Sequence, residues 1–242
     1  MPLPLLDAGL PGGWFTTREG GVSAGPWEGL NLALHVDDEP SRVFANRDLL
    51  RTAVGADSLV FAQQVHGDGV AVVDRASSRG SEGGVAGVDA LVTATPGLGL
   101  VVMAADCLPV LLLDREAGVA AAAHAGRQGL LAGVLERTVE TMTGLGADPA
   151  RTVASIGPAA GACCYEVPAA MADDAESRLP GTRGTTRAGT PSVDLLAGAR
   201  TVLAGQGLAD VVAVDRCTVH DDAFFSYRRF GTTGRHAGVV VL

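Results

Sequence analysis

The sequence predicts an α+β domain in which helices flank mixed β-sheets, and three observations support that class. First, Gly97 to Gly129 holds two runs rich in Val, Leu and Ala. Runs of this kind occur where a sheet is covered on both faces. Second, Leu131, Val134, Leu135, Thr138 and Val139 share one face of a helical repeat directly after those runs. Third, the 242 residues are 47% hydrophobic with few aromatics, which suits an Ala/Val/Leu-packed core. Gly and Pro punctuation is spread evenly, with no repeat, low-complexity tract or linker. A single domain over residues 1–242 is therefore expected.

In chain order, Trp14 to Arg18 reads as a strand ending at a Gly20-Gly21 turn. Asp38-Glu39-Pro40-Ser41 reads as a helix start, because acidic groups complement the helix dipole and Pro fits the first turn. Gly55 ends that helix. Strands follow at Leu59 to Val65 and Val70 to Asp74, then a Ser/Gly-rich mobile loop over Arg75 to Gly87, then a strand over Asp89 to Thr95. Two buried strands fill the central stretch, with Pro109 interrupting strand pairing as at a bulge or edge. Helices are predicted at Leu130 to Met142, Pro168 to Arg178 and Ser192 to Ala204. Strands are predicted at Arg151 to Ile156, Leu208 to Val214 and His236 to Leu242.

Three of the strand-like runs end on a residue that binds metals, each beside a Gly or Pro: His66, Cys107 and His124. They stand 41 and 17 residues apart, so spacing alone marks no local metal motif. Their shared position at strand ends suggests one site. Two imidazoles and one thiolate suit zinc, whose catalytic sites take three protein ligands and leave a fourth position for water or substrate. The alternative reading is two hydrogen-bonded histidines and one core cysteine. A helix beginning just after His124 would offer free N–H groups to an anion beside Arg127. Asp106, next to Cys107, is a candidate proton carrier or an N–H-capping carboxylate. His35 and His220 lie near acidic residues and read as solvated loop groups, while His236 opens a strand and reads as structural. Cys163, Cys164 and Cys217 also read as structural.

The segments QQVHGDGV, ADCLPVLL and HAGRQG resemble the three ligand motifs of the laccase-domain family, regarded as zinc-dependent purine nucleoside phosphorylases. The resemblance extends through TTREGGVSAGPWEGLNLALHVDDEP, IGPAAGACCYEV and FFSYRRFGTTGR, six ordered motifs over most of the chain. It implies a four-layer α/β/β/α sandwich with Zn2+ on His66, Cys107 and His124. It further implies phosphorolysis of adenosine, inosine and 5'-methylthioadenosine, together with adenosine deamination. Arg18 and Asn31 then become candidate phosphate or substrate contacts, Arg18 also with a part in catalysis. Tyr227-Arg228-Arg229 is either an anion contact or a structural or subunit clamp. The chain departs from the family pattern after His-Ala-Gly, where Arg127-Gln128 replaces the usual Trp-basic pair.

Composition excludes several other functions. All 18 basic residues are Arg, which removes Schiff-base chemistry, lysine-attached pyridoxal phosphate and a Walker A loop. A net charge of −9 argues against nucleic acid as a partner. No apolar run reaches the roughly 20 residues of a membrane helix, and the N-terminus lacks a basic region before an apolar stretch. Four cysteines are too few for a disulfide scaffold, so a reducing, cytoplasmic setting is expected. Three other functions compete with the zinc enzyme. One is a Cys/His hydrolase or deamidase with Cys107 as nucleophile. Another is copper oxidation, for which five histidines are too few to build a multicopper set. The third is a non-enzymatic metal-binding partner protein.

Overall fold

The computed structural model describes residues 3–77 and 83–242. The chain begins with β1 (Leu5–Asp7), β2 (Gly13–Thr16), α1 (Pro40–Val54), β3 (Ser58–Gln63), β4 (Val70–Val72), β5 (Val85–Ala86) and β6 (Ala90–Thr93). Its centre is β7 (Leu98–Ala104), β8 (Leu108–Asp114) and β9 (Val119–Ala125). Then come α2 (Arg127–Ala132), α3 (Val134–Gly144), β10 (Val153–Ile156), α4 (Ala169–Arg178), β11 (Arg183–Thr185) and β12 (Pro191–Val193). The chain closes with α5 (Leu195–Gly205), β13 (Asp210–Ala213), α6 (Tyr227–Phe230) and β14 (His236–Val241).

The strands form two mixed six-stranded sheets, β1-β2-β14-β7-β3-β5 and β13-β10-β8-β9-β6-β4, plus a small β11–β12 hairpin. Every residue of β7, β8 and β9 is buried, yet their side chains divide cleanly by face. Leu98, Leu100 and Val102 of the first sheet meet Leu111, Leu113, Ala120 and Ala122 of the second in one core between the sheets. The alternate residues of the second sheet, Val110, Leu112, Val119, Ala121 and Ala123, pack under α3, α4 and α5. Val101, Met103, Ala237 and Val239 of the first sheet pack under α1 and the segment carrying Leu30 and Leu32. This is the α/β/β/α sandwich, and it explains why period-2 patterning vanishes from the central runs: both faces of both sheets are covered. Leu111 is fully buried between the sheets, so truncating it to Ala costs about 2–5 kcal/mol.

Several predicted boundaries move, each for a local reason. The central stretch forms three strands rather than two, because Asp106 takes φ 94° and turns the chain at Asp106-Cys107. Pro109 does not interrupt β8. Its carbonyl accepts Gly157 N–H, so its missing donor faces the same side, beyond the last β8–β10 pair at Val110 and Ile156. The predicted helix at Leu130 to Met142 is two helices, α2 and α3, parted by Gly133 at φ 97°. The predicted helix from Ser192 starts later. Pro191–Val193 pairs as β12, and Asp194 caps α5 by accepting Ala197 N–H. The predicted mobile loop at Arg75 to Gly87 lies partly outside the described residues, and its described part includes β5. No helix among the described residues is long and apolar enough to cross a membrane.

Candidate active site

The site forms where strands of both sheets end, and register decides who meets whom. In the β8–β9 ladder Leu108 faces Ala125, which sets Cys107 opposite Gly126 one step beyond. In the β6–β9 ladder Ala90 faces Ala123, and His124 N–H donates to Asp89 C=O at the next step, 2.7 Å away. On the other sheet β3 runs parallel to β7. Past the end of β3, the Gln64 side-chain amide donates to Met103 C=O (2.7 Å) and accepts Met103 N–H (2.8 Å). Gln64 thus extends the pairing with a side chain and holds the next residues against the end of β7.

Asp89 then fixes the His66 turn. Its buried carboxylate accepts the backbone N–H groups of Val65 (3.1 Å), His66 (3.0 Å) and Gly67 (2.8 Å). The same carboxylate lies 2.8 Å from His124 Nδ1. His66 sits at φ 61°, a left-handed conformation that a non-glycine residue holds only when its surroundings enforce it. The three N–H donors explain why β3 ends at Gln63 rather than Val65. Asp89 therefore orients one imidazole through its backbone and the other through its ring. Sequence reading took Asp89 only as the start of a strand. A carboxylate opening an apolar strand was the available signal.

The result brings His66, Cys107 and His124 together: one ligand atom from each lies within 4.8 Å of the others. The two imidazole rings meet edge to face, 4.9 Å between centroids. Burial pushes the Cys107 thiol up, but the His124 charge and the hydrogen bonds from His124 and His66 outweigh it, bringing the pKa down to about 6. Burial pushes His124 down, and the Cys107 charge and the Asp89 hydrogen bond reverse this, raising it to about 9. The pair is a thiolate beside an imidazolium, the charge state that a cation would take over. Space is kept for one. A Cβ on Gly126 would stand 2.9 Å from Cys107 Sγ, 3.2 Å from His66 Cδ2 and 3.7 Å from His124 Cε1. A converging thiol and two imidazoles beside a cleared glycine could hold a metal ion.

The cluster lines a cavity of about 460 Å3 whose walls also carry Arg127, Tyr165, Tyr227, Arg228 and Arg235. Arg127 opens α2 and lies at the wall, as does Gln128 beside it. Arg228 donates to Glu166 C=O (2.9 Å) and its guanidinium stands 5.1 Å over the Tyr165 ring. Burial keeps the Tyr165 phenol above its usual pKa, so it stays a neutral O–H donor.

Asp106 reaches the cavity wall, but both its carboxylate oxygens are engaged, with Thr218 Oγ1 and Arg228 N–H each at 2.6 Å. Asn31 lies behind the wall, buried, where its side-chain oxygen accepts Arg235 N–H (3.0 Å). Arg18 does not line the cavity. It donates to Glu28 C=O (3.3 Å) and its guanidinium lies 5.2 Å from the Phe225 ring centroid. His35, expected as a solvated loop group, lines the cavity, and burial with the Arg235 and Arg47 charges lowers its pKa. Arg235 and His35 both lie inside quoted family segments, but neither was singled out there as a site residue. They arrive from opposite ends of the chain.

Fold and site together define an α/β/β/α protein with a His-Cys-His cluster in a cavity at the sheet ends. The chain belongs to the multi-copper polyphenol oxidoreductase laccase family, whose model matches residues 13–242. It is 49% identical over 227 residues to a Mycobacterium tuberculosis purine nucleoside phosphorylase, covering 93% of this chain and 89% of that one. It is 46% identical over 230 residues to a Corynebacterium glutamicum purine nucleoside phosphorylase, covering 94% and 93%. Among solved structures it is similar to NMB0706 of Neisseria meningitidis, with TM-score 0.86, 36% identity and 100% and 99% of the two chains covered. It is also similar to YlmD of Geobacillus stearothermophilus, with TM-score 0.90, 32% identity and 98% and 95% covered.

Proposed function

We propose that this protein is a zinc-dependent purine nucleoside phosphorylase. It acts on adenosine, inosine and 5'-methylthioadenosine and also deaminates adenosine. The observation that supports this reading is the convergence of His66, Cys107 and His124 on a cavity whose other walls carry three guanidinium groups and two phenols. His66, Cys107 and His124 would hold the metal, which when bound supplies a Lewis acid with an open position.

The chain's own residues set out the rest of the site. Phosphorolysis breaks the ribose C1'–N bond as phosphate attacks C1', through a transition state with oxocarbenium character. Anion positioning and leaving-group stabilisation are then what the protein must provide. Arg127, Arg228 and Arg235 are the groups that bind and orient phosphate. They replace Arg18 and Asn31 in that role, since Asn31 acts behind Arg235 and Arg18 lies off the cavity. We rest the anion on guanidinium groups rather than on a helix dipole, because α2 has only six residues. Tyr165 keeps its proton and donates a hydrogen bond toward the purine. Asp106 places the Arg228 backbone rather than carrying protons.

Incubating purified protein with adenosine and inorganic phosphate should give adenine and ribose 1-phosphate. Omitting phosphate should leave only slow conversion to inosine. Protein that is folded and zinc-loaded but forms neither adenine nor inosine would overturn the reading.

A Cys/His hydrolase is the second reading, and the thiolate–imidazolium pair of Cys107 and His124 favours it. Chelation separates the two. A phosphorylase dependent on metal loses turnover with chelator and regains it with Zn2+, whereas a thiol nucleophile does not need the ion.

A further inference from the structure

A second group of soft side chains lies outside the cavity. Cys163, Cys164, Cys217 and His220 each bring one ligand atom to within 4.8 Å of the others. We propose that these four residues form a closed structural zinc site, separate from the His66–Cys107–His124 centre and taking no part in the chemistry proposed there.

Topology builds the group. β10 and β13 run parallel, and their pairing continues past both strand ends: Ala159 N–H donates to Arg216 C=O and Thr218 N–H to Ala159 C=O. That places Cys217 beside the Gly161–Cys164 turn. Gly161 N–H then donates to Cys217 Sγ at 3.3 Å. Cys163 Sγ lies 3.4 Å from Cys164 Sγ and 3.9 Å from His220 Nε2. Bonds of about 2.0–2.3 Å to a tetrahedral zinc set its ligand atoms roughly 3–4 Å apart; the two Cys163 distances fall in that range, and all four atoms lie within 4.8 Å of one another. A glycine again keeps the space: a Cβ on Gly161 would stand 3.3 Å from Cys163 Sγ and 3.7 Å from Cys217 Sγ.

Three sulfurs and one imidazole are a composition of structural zinc sites, which leave no position for substrate. On zinc binding three S–H protons leave to solvent and three S–Zn bonds form, with no change of oxidation state. Three thiolates, one neutral imidazole and Zn2+ carry a net charge of −1. Arg187, from the β11–β12 hairpin, has Nη2 2.7 Å from the same His220 Nε2; zinc would displace that hydrogen bond and leave the guanidinium beside the anionic ligand set. Such a site would tie together the two loops that serve the cavity wall. Tyr165 follows Cys164 directly, and Thr218, next to Cys217, holds Asp106.

The test starts from the full chain carrying His66→Ala, Cys107→Ala and His124→Ala together, which removes the cavity ligands. After loading with Zn2+ and passage through dilute chelator, this protein should retain about one zinc per chain, and the unaltered protein about two. Adding His220→Ala, an exposed position that leaves folding intact, should release the remaining ion. Co2+ in place of zinc should give strong sulfur-to-cobalt charge-transfer bands in the triple variant. Cys217→Ser should weaken them. A folded triple variant that holds no zinc overturns the site, and so does a Cys163–Cys217 disulfide formed in the presence of Zn2+. If the unaltered protein and the triple variant both hold about one zinc, the second site stands and the cavity centre is the one that fails.

Discussion

Around Cys107 two imidazoles leave one side open, and that side faces a cavity of about 460 Å3. Around Cys217 two more sulfurs and one imidazole close in from neighbouring turns. Both groups form where strand pairing ends, and both keep room with a glycine, Gly126 in one and Gly161 in the other. They differ in what stands behind them. The cavity group is braced by the buried Asp89 carboxylate, which fixes both of its histidines. The cysteine-rich group has an exposed histidine held by the Arg187 guanidinium. An open coordination position and a carboxylate brace are the marks of a reactive centre, whereas a filled ligand set is the mark of a staple.

The largest effects should separate the two groups by activity. Replacing His66, Cys107 or His124 by Ala should lower kcat/KM for adenosine phosphorolysis by about a thousandfold or more, roughly 4 kcal/mol of transition-state stabilisation. His220→Ala should change it by less than about threefold. Steady-state assays on folded variants decide this, and equal losses in both sets would erase the contrast. Gly126→Ala comes next. Its new methyl would press on Cys107 Sγ at 2.9 Å, so zinc affinity should fall by about tenfold to a hundredfold with the fold retained. A direct zinc titration reads it.

Asp89→Asn should weaken zinc binding by a similar factor, about 10–100-fold, by loosening both histidines. It should also lower stability by about 2–3 kcal/mol, because charge-assisted hydrogen bonds are lost in a buried place. A chelator-treated urea melt that does not shift would show that the brace is idle. Thiol reactivity gives the finest contrast. In metal-free protein Cys107 titrates near 6 and Cys163 near 12. At neutral pH the thiolate, which is the reactive form, is populated at Cys107 and scarcely at Cys163. Iodoacetamide should label Cys107 first near pH 7.5. The Cys107 rate should fall as pH drops below about 6, where the thiolate is reprotonated. Peptide mapping of the labelled protein checks the order.

Much of the frame was legible before any coordinates. The helix ended by Gly55 was readable because its cap is local chemistry: Gly55 does adopt the left-handed conformation expected of it. The buried strands were readable from runs of Val, Leu and Ala. Division of the central stretch into three strands was not, because the turn depends on Asp106 holding a left-handed φ that Thr218, Arg228 and Ala160 secure from elsewhere in the chain. The break in the helix after His124 turned on one glycine, Gly133, whose conformation composition does not set.

The candidate site divides along the same line. His66, Cys107 and His124 could be singled out because each lies at the end of an apolar strand and in a segment resembling the family's ligand motifs. Asp89 and the partnership of His220 with three cysteines could not, since each is ordinary in its own neighbourhood, and Tyr165, Arg235 and His35, though inside quoted family segments, carried no signal that placed them at the site. By itself the sequence determined which segments bury themselves and which residues could bind a metal, because hydrophobic pattern and side-chain type are properties of short stretches. Only the tertiary structure decided which of those residues share a point in space. That depends on ladder register between strands far apart in the chain, and a shift of one residue would send His124 away from Asp89.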